Sequence, residues 1–195
     1  MDRRSADAQG DPAGAQIVMV GLMGAGKSAI GRRLAARLGL PFVDADAEIE
    51  AAAGRTISEI FRAHGEEAFR QGERAVITRL LDSGPKVLAT GGGAFMDDEI
   101  RALIEEKAVS VWLKADLDVL VTRTSRRKHR PILREGDPRE ILGRLIDERY
   151  PVYAHADLTV QSTDGPPEET VDRVLAGLKR IGAEKAGKDG VGNVR

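Results

Sequence analysis

The chain has 195 residues, with 30 Lys plus Arg against 31 Asp plus Glu and no cysteine. That length suits one domain able to bury a core without cross-links. The balanced charge excludes the basic footprint of a nucleic-acid or membrane-surface binder, and the missing thiols exclude a disulfide framework, a cysteine nucleophile and cysteine-based zinc.

The opening residues MDRRSADAQGDPAGAQ hold no apolar stretch of the secretory type, and no later run has the length of a membrane span. The expectation is a cytoplasmic protein that acts on a small molecule and has no nucleic-acid or membrane partner. Residues 1–15 are small, polar and aperiodic and read as a disordered tail. From residue 16 onward, short β-branched runs alternate with stretches of helical period, which predicts a parallel sheet covered on both faces, a three-layer α/β/α fold. Strands are predicted at 16–20, 41–43, 86–90, 109–113 and 157–161. Helices are predicted at 27–39, 46–53, 57–63, 66–82, 97–107, 116–124, 138–150 and 167–181. Ile30, Leu34 and Leu38 share a stripe of the first helix, and Thr56 with Glu59 matches a capping box that starts a helix at Ile57. Trp112 falls within a strand pattern and reads as core or sheet face. Residues 183–195 read as a second tail, which leaves a single domain over 16–182.

In such a sheet ligands sit at the carboxyl ends of the strands, and the unusual residues fall there: GLMGAGKS at 21–28, DAD at 44–46 and TGGG at 90–93. Gly21, Gly26, Lys27 and Ser28 satisfy G-x-x-x-x-G-K-[ST], in which backbone N–H groups of Gly24, Ala25, Gly26 and their neighbours curl around phosphate oxygens at a helix N-terminus. Lys27 then reaches the β and γ phosphates of a nucleotide, and the Ser28 hydroxyl ligates Mg2+. The run KVLAT ends without an acid, so Asp44, closing PFVD, is the candidate second metal ligand, against the plainer reading of a strand-end turn residue. His64, His129 and His155 have no metal-ligand spacing. The single asparagine, Asn193, rules out the N-K-x-D signature of GTPases. A small kinase remains.

GLMGAGKSA, DADAEIE, ISEIFRAHGEEAFRQGE, LATGGG, RPIL and ERYPVY, in that order, resemble the shikimate kinase family over about residues 16–180. The resemblance implies ATP-dependent phosphorylation of the 3-hydroxyl of shikimate, a step toward chorismate and the aromatic amino acids, by a monomer with sheet order 2-3-1-4-5. It implies that Arg70 and Arg149 bind the substrate carboxylate, and that Gly91, Gly92 and Gly93 contact the ring, with Gly92 foremost. Asp46 then takes hydrogen bonds from substrate hydroxyls as base or orienter. The substrate-binding region spans about 44–75 and a lid about 125–137, in which Arg130 folds over the nucleotide while Arg123 lies near adenine. By spacing alone Arg70 equally forms a surface pair with Glu66 or Glu73, and Arg149 reads as an exposed charge at a helix end.

The chain departs from the family pattern twice. Ala29 stands where a threonine is common, and QSTDGPP at 161–167 lacks the arginine that some members place against adenine. The runner-up is another small-molecule kinase of the same fold, for gluconate or a nucleoside monophosphate.

Overall fold

A computed structural model describes residues 16–125 and 136–190. The predicted tail 1–15, the last five residues of the second one, Arg130, His129 and nearly all of the expected lid lie outside the described residues. Five strands, β1 (Ile17–Val20), β2 (Phe42–Asp44), β3 (Val87–Ala89), β4 (Val109–Lys114) and β5 (Leu158–Gln161), form one parallel sheet in the order β2-β3-β1-β4-β5. Ile17 registers with Val87 on one side and Val109 on the other, so β1 is central. All four of its residues are buried. Burial of each such side chain contributes about 1.5–3 kcal/mol, and a central strand apolar on both faces has no alternative place than the middle of the sheet.

The helices are α1 (Lys27–Leu38), α2 (Ala45–Ala53), α3 (Ile57–Asp82), α4 (Asp98–Lys107), α5 (Leu117–Ser125), α6 (Pro138–Tyr153) and α7 (Pro167–Gly190), with a 3-10 turn at Ala94–Met96. α1 buries Ile30 and Leu34 and seats Leu38 against the core, as its stripe predicts. The capping box forms: Thr56 Oγ1 accepts from Glu59 N at 3.3 Å, and Glu59 Oε2 accepts from Thr56 N at 2.8 Å. The two helices predicted at 57–63 and 66–82 are one element broken by a kink at Gly65, whose φ of 79° and ψ of 178° are not helical. Trp112 is buried, with its ring edge-on to Tyr150 at 4.9 Å between centroids.

Two boundaries differ from the sequence expectation. α6 runs through Pro151 to Tyr153: the proline lies within the last turn, where its cost to the helix is confined, and the turn closes through Ala154 N to Tyr150 O at 3.0 Å. α7 runs to Gly190, past the tail boundary set at 183. AEKAGK is rich in strong helix formers, so an established helix extends through it without needing an apolar stripe. Among the described residues no helix is long and apolar enough to cross a membrane.

Candidate active site

The segment after β1 turns sharply into α1. Gly26 caps α1 with φ of 101°, a conformation that suits glycine, and no side chain caps the helix. The first helical N–H groups therefore keep their donors for another partner, and the first turn carries no acid to repel an anion. Lys27 bends back over the loop, its Nζ donating to Gly21 O at 2.7 Å and Leu22 O at 3.1 Å. Gly24 and Ala25 form the back of the loop, and Ala29 is exposed on the first turn of α1.

Ser28 and Asp44 come from different strand ends and meet: Ser28 Oγ donates to Asp44 Oδ2 at 2.8 Å. Asp44 Oδ1 accepts from Asp46 N at 3.2 Å and so caps α2. The turn-residue reading of Asp44 is met through Oδ1, while Oδ2 is the oxygen turned toward Ser28. This pair of hard oxygen donors fits Mg2+, which takes few protein ligands and fills its remaining positions with phosphate and water. Among the described residues there is no group of three or more His, Asp or Glu that could hold a metal.

The glycine turn after β3 is the hub of the second half. Thr90 fastens it to the end of β1, its N and Oγ1 both donating to Met19 O, at 3.2 and 3.1 Å. A Cβ placed on Gly91 would stand 2.7 Å from Asp46 Oδ1 and 3.2 Å from Glu73 Oε1; one on Gly93 would stand 2.6 Å from Arg70 Nη2. Both positions are thus pressed by charged side chains, Gly91 by Asp46 and Glu73 and Gly93 by Arg70. Arg149 Nη1 donates to Gly92 O at 3.0 Å, and Tyr153 Oη donates to the same carbonyl. Burial pushes the Tyr153 phenol up to about 12, against the pull of Arg149, so it remains a protonated donor. Arg149 Nε is buried without a hydrogen-bond partner beside the turn, with the Glu148 carboxylate 3.7 Å away. A Cβ on Gly92 would lie 3.7 Å from Gly21 O, the same carbonyl that Lys27 holds. The guanidinium groups of 70 and 149 and the phosphate loop therefore border one crevice.

Arg70 does form the ion pairs its spacing allows, with Glu73 at 2.5 Å and Glu66 at 3.3 Å. The Glu73 pair is no surface feature, since that carboxyl is 1% exposed. Sequence reasoning treated Glu73 only as a rival partner; burial makes it part of the site, where it aims Arg70 toward the turn. Burial is the largest single influence and works against the Arg70 charge, but the hydrogen bonds and charges of Glu73 and Glu66 together outweigh it and the guanidinium pKa rises.

Burial also pushes the Glu73 carboxyl up; Arg70 opposes this, and the Asp46 and Asp97 carboxylates add to it. A carboxyl raised on folding favours the native state fully below its unfolded pKa, about 4.3, and that contribution is lost as pH rises through the folded value. Melting temperature of the wild type is therefore expected to fall, relative to Glu73→Gln, as pH climbs from the ordinary glutamate range. Parallel melting profiles across that window would refute the assignment.

Arg123 stands behind the phosphate loop. Its Nη1 donates to Gly24 O at 3.3 Å, Ala25 O at 3.4 Å and Ser162 Oγ at 3.0 Å, while Nη2 donates to Thr163 O at 2.5 Å. Ser162 Oγ in turn donates to Ala25 O at 2.8 Å. No sequence signal singled out Ser162 or Tyr153, because their roles depend on which distant carbonyl they reach. An arginine does serve the 161–163 segment from outside it: Arg173 of α7 donates to Gln161 O at 3.1 Å and Thr163 Oγ1 at 3.4 Å.

A phosphate cradle, a carboxylate and hydroxyl pair suited to a metal, and a facing pocket with two arginines define a phosphate-loop kinase of a small anionic acceptor. The family model for shikimate kinase matches residues 23–179. A shikimate kinase of Paramagnetospirillum magneticum is 64% identical over 165 residues, covering 85% of each chain. The solved shikimate kinase of Acinetobacter baumannii in complex with shikimate superposes with a TM-score of 0.79 at 37% identity, covering 83% of this chain and 90% of that one. A gluconokinase of Sinorhizobium meliloti shares the fold, with a TM-score of 0.61 at 22% identity over 90% of this chain and 97% of its own. The chain belongs to the shikimate kinase family.

Proposed function

We propose that this chain transfers the γ-phosphoryl group of ATP to the 3-hydroxyl of shikimate, releasing ADP and shikimate 3-phosphate on the route to chorismate. The observation that carries the reading is the convergence of Asp46, Arg70 and Arg149 on the glycine turn 91–93, across from Lys27. A ring with one carboxylate and several hydroxyls matches that lining: guanidinium forks suit the carboxylate, and Asp46 with the turn suits the hydroxyls.

In this reading the N–H groups of 24–29 and Lys27 hold the triphosphate. Asp46 orients the 3-hydroxyl and receives its proton as the new O–P bond forms, while the bond from the γ-phosphorus to the bridging oxygen breaks and that oxygen leaves on ADP. Ser28 and Asp44 would hold Mg2+, which when bound neutralises phosphate charge. Arg123 braces the loop beside the base, and Arg130, on the lid 125–137, covers the nucleotide and keeps water from competing as acceptor. The folded kinase domain is taken to begin at residue 16 and to end within α7, acting as a cytoplasmic monomer.

ADP release measured with shikimate, quinate, gluconate and AMP tests the reading directly. Release with shikimate far above the others is expected; release with AMP or gluconate and none with shikimate would overturn it. Arg70→Ala and Arg149→Ala should each raise the shikimate KM about 10- to 100-fold, the worth of a charged hydrogen bond, with the ATP KM little changed.

A further inference from the structure

The acceptor crevice joins two pieces of chain: α3, carrying Arg70 and Glu73, and the turn that follows β3. Arg74 comes next on α3. Its Nε forms an ion pair with Asp97 Oδ2 at 2.9 Å, without the alignment of a hydrogen bond, and its Nη1 donates to Glu99 Oε1 at 2.9 Å. Asp97 ends the 3-10 turn that the glycines begin. Ala94 N donates to Gly91 O at 3.3 Å, Met96 N to Gly93 O at 3.0 Å, and Asp97 N to Ala94 O at 3.2 Å. The other Asp97 oxygen caps α4, accepting from Glu99 N at 3.0 Å and Ile100 N at 3.2 Å. Asp97 is thus rigidly tied to both the glycine turn and α4. The Asp97 side chain is 14% exposed, against 72% for Glu99, and the Arg74 side chain 36%, so of the two contacts the Arg74–Asp97 pair is the less screened by solvent.

We infer that Arg74 is a positioning residue for the acceptor: with Asp97 it forms a strut that sets the spacing between α3 and the glycine turn. The inference rests on reading this crevice as the acceptor site. The contacts the strut maintains leave little slack, since Gly91 is pressed by Asp46 and Gly93 by Arg70. Displacement of reacting groups by about 1 Å is enough to lose on the order of 10²-fold in rate. Arg74 acts through its neighbours on α3 and its effect belongs to the acceptor half, because the phosphate loop is built on β1 and α1.

The test uses the full chain with Arg74→Met, which keeps an unbranched apolar stem, and Asp97→Asn, which keeps a capping oxygen but removes the charge. Each is expected to raise the shikimate KM about 5- to 10-fold, the size of coupling between contacting residues, while the ATP KM stays unchanged. The double variant should be no worse than the more affected single one, and Arg74→Lys should recover most of the loss through its remaining point charge. Amide hydrogen exchange over 91–97 should quicken in Arg74→Met without any ligand. An unchanged shikimate KM in an active Arg74→Met protein, additive losses in the double variant, or an equal rise in the ATP KM would overturn the strut. Should the wild type prefer another acceptor, the functional reading falls, and unchanged exchange over 91–97 would then separately sink the strut.

Discussion

Replacement of Lys27 by methionine is expected to abolish turnover while the protein stays folded. Lys27 opens α1, and its ammonium folds over the loop onto Gly21 O and Leu22 O, so the charge sits at the mouth of the phosphate cradle. Phosphoryl transfer asks little covalent chemistry of the protein; most of its contribution is charge placed where the transferred group develops charge. Loss of one such preorganised donor typically costs about 10²–10³-fold in kcat, and a full cation at the transferred group belongs at or beyond the upper end. Methionine matches the stem of lysine, and the hydrogen bonds given up to Gly21 O and Leu22 O are part-buried ones to loop carbonyls. Circular dichroism and melting should therefore match the wild type while ADP release disappears. A Lys27→Met protein that keeps a tenth of wild-type kcat, taken as a rough threshold for a tenfold effect, would show that the cradle N–H groups suffice and that Lys27 is only a loop brace.

Asp46→Asn should separate chemistry from nucleotide binding. Asp46 is half-buried on the first turn of α2, held there by the Asp44 cap and pressed against Gly91. Asparagine fills the same space and still accepts one hydrogen bond, but it cannot take the proton of the attacking hydroxyl. General-base contributions run at about 10²–10⁴ in rate, and a loose transition state that demands little proton abstraction places this enzyme toward the lower value. The ATP dissociation constant should stay near that of the wild type, because the cradle, Lys27 and Ser28 are untouched. Normal kcat in Asp46→Asn would remove this residue from the reaction. A lost ATP affinity would instead trace to the neighbouring Asp44, whose second oxygen meets Ser28.

The contrast between Arg70 and Arg149 shows how far letters carry. Arg70 could be drawn as a helix-surface pair or as a substrate ligand, and its spacing to Glu66 and Glu73 supports the first as well as the second. Only packing decides that one of those partners, Glu73, is buried beneath the glycine turn and so turns an ordinary i,i+3 pair into part of the site. Arg149 by itself is a charge near a helix end. It reaches Gly92 because α6 packs against the glycine turn, and the continuation of α6 through Pro151 brings Tyr153 to the same carbonyl. Asp44 shows the reverse case: a strand-end acid next to a phosphate loop predicts its meeting with Ser28, and the distance of 2.8 Å agrees.

What the letters determined by themselves was whatever local physics governs: the alternation of strand and helix, the capping box at Thr56, the break near Gly65 and the phosphate loop, each set by residues within a few positions of one another. The family motifs added the sheet order that the strands adopt. What only the tertiary structure decided were the contacts made across long stretches of chain, namely the burial of Glu73, the grip of Tyr153 on Gly92, the arginines that reach the 161–163 segment, and the Arg74–Asp97 strut. Such contacts depend on where a side chain's partner lies in space and on how much water is excluded around it. Neither quantity is encoded in the spacing of residues along one segment, so both wait for the sheet to bring distant segments together.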